Sequence, residues 1–298
     1  MFFSSMYVAD QGASPMPFTV EDIDKKVDQN IPSLSPTAAK VMELANDINC
    51  PPGELTKVIK LDPVLTAQVL KLVNSSYLSL SNKIVSLEKA IILLGLNTIK
   101  NLALGAAALN QMEASSTSES FDNNGFWQHS LAVGVTSKLI ALRRGVDKKI
   151  IEDYFIAGLL HDLGLVLESK IFHDEIERVI LTATEVGIIE AEDIIFEGLN
   201  HCKIGAVLGK KWNLSEDLLN VILYHHSPFE NNPSELTSTV YLANSICKNS
   251  GTGLVMDKTP VDIDPQIFTK LGISNTIESS VLESLEGEIQ KAKEFMKA

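Results

Sequence analysis

The stretch F-I-A-G-L-L-H-D-L-G-L, Phe155–Leu165, constrains this chain more than any other. Phe155, Ile156, Ala157, Leu159 and Leu160 form an apolar run that carries an adjacent His161-Asp162 pair into what should be a buried helix. An ionised aspartate taken out of water is costly unless it is paired or bound to a cation. Imidazole is the commonest side-chain metal ligand. The pair alone therefore allows two readings: a helix cap or hydrogen-bonded His-Asp couple, or part of a metal site.

The remaining histidines bear on that choice. The chain has six. His129 stands in F-W-Q-H-S-L-A-V-G, His201 in E-G-L-N-H-C-K-I-G, and His225-His226 close L-L-N-V-I-L-Y-H-H. Each lies within or just after an apolar helical pattern. Asn244 follows in Y-L-A-N-S-I-C. His173, in the charged stretch I-F-H-D-E-I-E-R, reads as a surface residue. Cys202 beside His201 offers a thiol, but adjacent side chains on a helix diverge by about 100°, which argues against a shared site. Histidines that merely pack a helical core are the plainer alternative.

The order His, then His-Asp, His, His-His resembles the HD superfamily of metal-dependent phosphohydrolases, and within it the HD-GYP phosphodiesterases. The match runs through His129, His161-Asp162, His201 and His225-His226, with Asn244 where the family pattern has an aspartate. In that family the bridging aspartate and the histidines hold two metals, often iron. The resemblance implies one or two divalent ions, iron first and manganese or zinc next, held by His129, His161, Asp162, His201, His225 and His226. Asp162 would be the bridge. Asn244 would be a weaker ligand, because a neutral carbonyl oxygen holds a hard cation less firmly than a carboxylate.

The first half adds a second signature. D-P-V-L from Asp62 leads to N-S-S-Y-L from Asn74, and S-L-E-K-A-I-I-L-L-G spans Ser86–Gly95. This pair is similar to the HDOD signature and is absent from ordinary HD-GYP enzymes. Taken bare, the same residues say only that amphipathic helices form a bundle. Ser35-Pro36, Pro51-Pro52, Asp62-Pro63 and Ser86 read as helix starts, and Gly95 as a stop. The resemblance covers Ile31 to the C-terminal tail. It implies a bacterial regulatory relative of HD-GYP. Many HDOD domains have lost these histidines, which this chain keeps.

The expected fold is all-α, two packed helical subdomains, the second an HD-superfamily bundle. The boundaries read as an arm over 1–22 with a short helix at Val20–Asn30, a first subdomain over 23–112, a polar loop over 113–124, and a second subdomain over 125–298. Residues 22–298 would form one HDOD unit. In the tail, Ile277, Val281, Leu282, Leu285 and Ile289 read as one apolar stripe.

Four departures from a working HD-GYP site stand out. Asn244 replaces the final aspartate. S-P-F-E-N-N-P stands where a G-Y-P loop would follow His225-His226. Leu165 occupies the place of a phosphate-holding lysine, and Gly125 that of a carboxylate that supplies a third metal in some members. Two functions are therefore weighed: a signalling or scaffold module whose metal is structural or redox-sensing, and a hydrolase of cyclic dinucleotides or other phosphoesters using metal-activated water. The first half, with no ligand cluster of its own, is expected to dock signalling proteins supplied in trans or a small ligand.

Twenty-five Lys and Arg against 38 Asp and Glu give a net charge of −13, which argues against an extended nucleic-acid surface. Cys50, Cys202 and Cys247 form no C-x-x-C, as suits a reducing cytoplasm. No apolar run approaches the roughly 18 residues of a membrane span, and the N-terminus shows no signal-peptide pattern. The expected location is cytoplasmic, with no membrane partner.

Overall fold

The computed structural model describes residues 20–30, 36–47, 49–74, 78, 80, 83–113, 120–230, 232–252 and 259–296. The arm before Val20, the Ser35 cap, part of the N-S-S-Y segment and half of the polar loop lie outside them. Among the described residues there are sixteen helices and no strand. The first half holds α1 (Val20–Asn30), α2 (Pro36–Asn46), α3 (Pro52–Lys60), α4 (Pro63–Val73), α5 (Leu87–Leu94) and α6 (Leu96–Glu113). The second holds α7 (Asn123–Arg143), α8 (Ile151–Leu160), α9 (Leu163–Ile171), α10 (His173–Val186), α11 (Ile188–Phe196), α12 (His201–Lys211), α13 (Glu216–Tyr224), α14 (Glu235–Asn249), α15 (Gln266–Leu271) and α16 (Ile277–Met296).

Local chemistry sets the breaks. The Asp62 carboxylate accepts from the backbone N–H groups of Val64 and Leu65, both at 3.0 Å, while Pro63 takes the first helical position. One Asp-Pro step thus ends α3 and starts α4, and such a cap contributes about 1 kcal/mol. Ser86 caps α5 through the Lys89 N–H at 3.3 Å. Gly95 ends α5 at φ 85°, a conformation that side chains with a Cβ rarely adopt.

Packing joins the halves. In the first half α2 and α4 lie on α6, and α6 crosses to α8. In the second, α7 is central, against α8, α14 and α16. One continuous apolar core runs from Ile23 to Ala292 through both halves. Helix α1, which sequence order groups with the first half, buries Ile23 and Val27 against α9 and α12 of the second. A Lys211–Asp28 ion pair at 2.6 Å lies at the same junction.

The C-terminal stripe needs one correction. Ile277, Val281, Leu285 and Ile289 are buried at four-residue steps, but Leu282 is 42% exposed. It sits about 100° around the helix from Val281, outside the buried face.

No helix among the described residues is long and apolar enough to cross a membrane.

Candidate metal centre

Helix ends bring the histidines together. His129 lies inside α7. His161 caps the C-terminus of α8, and Asp162 stands at the start of α9. His201 is the first residue of α12, after the Asn200 cap, and His225 is the C-cap of α13. His129, His161, Asp162, His201 and His225 are all buried.

Asp162 is at the centre. Its Oδ2 lies 3.1 Å from His161 Nε2 and 3.7 Å from His129 Nε2. Its Oδ1 lies 3.0 Å from His225 Nε2 and 3.4 Å from His201 Nε2. One carboxylate oxygen therefore serves each pair of imidazoles. His226 adjoins the second pair, its ring 4.3 Å from that of His225 and 5.1 Å from that of His201, centroid to centroid.

The opposite ring nitrogens are already committed. His161 Nδ1 donates to the Gly158 carbonyl at 2.7 Å, and His225 Nδ1 to those of Ile222 and Val221 at 3.0 and 3.2 Å. The Gly158 and Ile222 carbonyls belong to a last helical turn, where carbonyls lack partners within the helix, and that of Val221 also accepts the His225 backbone N–H at 3.0 Å. His129 Nδ1 donates to the Thr252 carbonyl at 3.5 Å. His201 Nδ1 is held by both Glu192 oxygens at 2.9 Å, and Glu192 Oε2 also accepts the His201 backbone N–H at 3.2 Å. A nitrogen that donates at Nδ1 in a neutral ring leaves a lone pair at Nε2. Metal-binding histidines are oriented by this kind of outer partner.

Burial sharpens the charge pattern. It pushes His129 and His225 down to about 4, so both rings are neutral near pH 7. Burial would raise Asp162, but the His161, His201 and His225 rings outweigh it and hold the carboxyl well below its usual range. For His201 burial acts downward, yet Cys202, Glu192 and Asp162 outweigh it and raise the ring well above its ordinary value. Behind Glu192, buried Glu168 is raised well above the usual range, first by burial and then by Glu192.

The donor set fits a cation. The neutral His129 and His225 rings turn Nε2 lone pairs toward the Asp162 carboxylate, and acceptors cannot satisfy acceptors. His161 Nε2, Asp162 Oδ1 and, on α14, Asn244 Oδ1 are buried without a conventional hydrogen-bond partner. Two groups among the described residues have ligand atoms close enough for a metal: His129, His161 and Asp162, and His201, Cys202, His225 and His226.

Close helix contacts put these groups in place. A Cβ on Gly158 would meet the Gly134 backbone at 2.8 Å, so α7 and α8 touch backbone to backbone beside His129 and His161. A Cβ on Gly164 would stand 1.8 Å from the His201 carbonyl oxygen. The sequence reading did not single out Glu192, Glu168 or these glycines. Acidic residues in the otherwise apolar runs I-I-E-A-E-D-I-I and L-V-L-E-S-K-I were the available signal. His173, outside the cluster, is exposed.

The departures also have structure. Leu165 is 2% exposed on α9, an apolar side chain in the core. A Cβ on Gly125 would meet Asp122 Oδ2 at 2.3 Å, so a side chain there would turn the capping carboxylate, whose Oδ1 accepts the Gly125 N–H at 2.9 Å.

The architecture and the cluster define a class: an all-helical protein with a buried candidate metal centre. The sequence profile of the HDOD domain matches residues 31–228, and the chain belongs to that family. It is similar to a crystallised HDOD domain protein with unknown function from Geobacter sulfurreducens, 26% identical, with a TM-score of 0.73 over 93% of this chain and 99% of that one. A candidate phosphohydrolase from Shewanella amazonensis SB2B shares the fold at 22% identity and a TM-score of 0.70, covering 92% of this chain and 97% of that one. An uncharacterized protein of Treponema pallidum (strain Nichols) is 29% identical over 223 residues, 72% of this chain. The match covers 42% of that relative's own length.

Proposed function

We propose that this chain is a regulatory HDOD module that keeps a divalent-metal centre and lacks the parts that hydrolyse a phosphodiester. The observation that carries the reading is the Asp162 carboxylate, each oxygen of which faces two imidazole nitrogens. His129, His161 and Asp162 would hold one ion, and Asp162 with His201, His225 and His226 would hold the other. Iron is the first expectation, from the family resemblance, with manganese and zinc next. Such an ion supplies Lewis-acid activation of water or a structural cross-link when bound.

The chain's own residues argue against efficient turnover. Phosphoryl chemistry needs positioned cations on the phosphate oxygens, and loss of one well-placed contact commonly costs about 10²–10³ in rate. Leu165 offers no charge, and Gly125 offers no carboxylate. Asn244 contributes no negative charge to hold the metal. Function then rests on docking, with signalling proteins in trans or a small ligand as the partners.

A second reading is hydrolysis of cyclic dinucleotides or other phosphoesters. The two-sided Asp162 favours it, since paired ions on one bridge are the arrangement of many hydrolases. Metal analysis of protein purified without added metal, followed by an anaerobic assay of the iron-loaded form on cyclic di-GMP, separates the two. Bound metal with hydrolysis below detection is expected. Turnover of about one per second, ordinary for an enzyme, would move the assignment to the second reading.

A further inference from the structure

Successive side chains on a helix diverge by about 100°, yet Cys202 Sγ lies 3.6 Å from Nε2 of its neighbour His201. The exception arises at the start of α12. His201 is the first helical residue, and Glu192 grips its ring at Nδ1. The far nitrogen, Nε2, then comes within reach of the next side chain. His225 Nε2 stands 3.3 Å from that same nitrogen. Each of His201, Cys202, His225 and His226 has a ligand atom within 4.8 Å of the others.

We propose that Cys202 is a metal ligand, completing with His201, His225 and His226 a nitrogen–sulfur site for a thiophilic divalent cation such as zinc or ferrous iron. The inference rests on the metal centre proposed above and adds a thiolate that the family resemblance does not include. Its warrant is geometric. A tetrahedral ion with metal–nitrogen bonds of about 2.05 Å and a metal–sulfur bond of about 2.3 Å separates two nitrogens by about 3.3 Å and nitrogen from sulfur by about 3.6 Å. The His201–His225 and His201–Cys202 separations are those edges, 3.3 and 3.6 Å. Glu192 fixes the orientation of the His201 ring, and the last-turn carbonyls of α13 fix the tautomer of His225. On binding, the Cys202 thiol gives up its proton to solvent and the sulfur donates its lone pair to the ion.

The consequences differ from those of an all-imidazole site. Sulfur shifts preference away from magnesium and manganese toward zinc, cobalt and ferrous iron. With Asp162 beside them, the four ligand side chains leave less room for water than a catalytic ion keeps.

Full-length protein stripped of metal and loaded anaerobically with cobalt(II) tests this. The expected spectrum has a near-ultraviolet thiolate-to-cobalt charge-transfer band. The band should vanish in Cys202→Ser and persist in Cys50→Ser and Cys247→Ser. In Cys202→Ser the affinity, measured against a chelator, should fall by more than the roughly 10–100-fold that loss of a supporting residue costs. Cobalt bound to the wild-type protein without the band overturns the role of Cys202 and leaves the histidine centre standing. Failure of cobalt to bind at all overturns both. The wild-type spectrum decides without any variant, so a misfolded Cys202→Ser protein does not rescue the idea; circular dichroism and Cys202→Ala check the variant arm.

Discussion

Gly164 meets the backbone of His201 so closely that a methyl group on it would stand 1.8 Å from the His201 carbonyl oxygen. That contact seats α9 on α12 and holds Asp162 against His201, 39 positions further along the chain. Gly164→Ala should therefore force the two backbones apart. A loss of roughly 3 kcal/mol or more is expected, at the high end for a single substitution. Chemical denaturation measures it, and a change below about 1 kcal/mol would show that the helices can part without penalty.

Glu192 accepts from both the ring and the backbone of His201. Glu192→Gln keeps the shape but turns an amide donor toward one of two donors. Metal affinity by competitive chelation should fall about 10–100-fold, the usual cost of an outer-shell change, with the helix content retained. Glu192→Ala should also lose stability, since it strands two buried donors at about 1–3 kcal/mol each. An unchanged affinity in the Gln variant would remove Glu192 from the centre.

Metal removal gives a third expectation. At a metal concentration about 100-fold above Kd, an ion that binds only the folded state adds about 2.7 kcal/mol. For a unit of this size, chelation should lower Tm by about 5–10 °C. Asp162→Asn removes the charge that both imidazole pairs face. Its Tm should no longer respond to chelator, and a full chelator response in this variant would refute the bridge.

Asp153 sets a pH dependence away from the metal centre. On α8, its carboxyl accepts from the Asn101 amide of α6, where the two halves meet. Burial pushes it up to about 6 from 3.8; Asn101 acts in the opposite sense, and Glu152 and Asp217 add to the rise. The folded state thus binds this proton more tightly than the unfolded chain. Its stabilising contribution is full below about pH 4 and is lost as pH rises through 6. Asp153→Asn should flatten stability between pH 4 and 7 and raise it at pH 7 by roughly 1–2 kcal/mol, after allowance for remaining solvent access. Urea titrations at several pH values read the slope directly. A variant with the same pH slope as the wild type would exclude Asp153 as its source.

Much of this architecture was legible from local chemistry. Asp62-Pro63 and Ser86 start helices through their own side chains and neighbouring N–H groups, and Gly95 stops one through its φ. His225 could be placed at a helix end because Pro228 closely follows the apolar pattern before it, whereas His161-Asp162 was expected inside one helix and instead joins α8 to α9.

The sequence by itself determined an all-helical chain, since helix propensity and caps act over a few residues, and its resemblance to the HD pattern pointed to His129, His161, Asp162, His201, His225 and His226 as the candidate set. Tertiary structure decided the rest. It seated α1 on α9 and α12, turned Leu282 toward solvent, and placed Glu192 behind His201. It also brought Cys202 Sγ to His201 Nε2, against the divergence that a regular helix imposes on neighbours. The seating of α9 on α12 depends on backbones meeting at Gly164 and Gly205. A glycine in sequence is permission for such contact, and only the fold specifies which backbone fills the space.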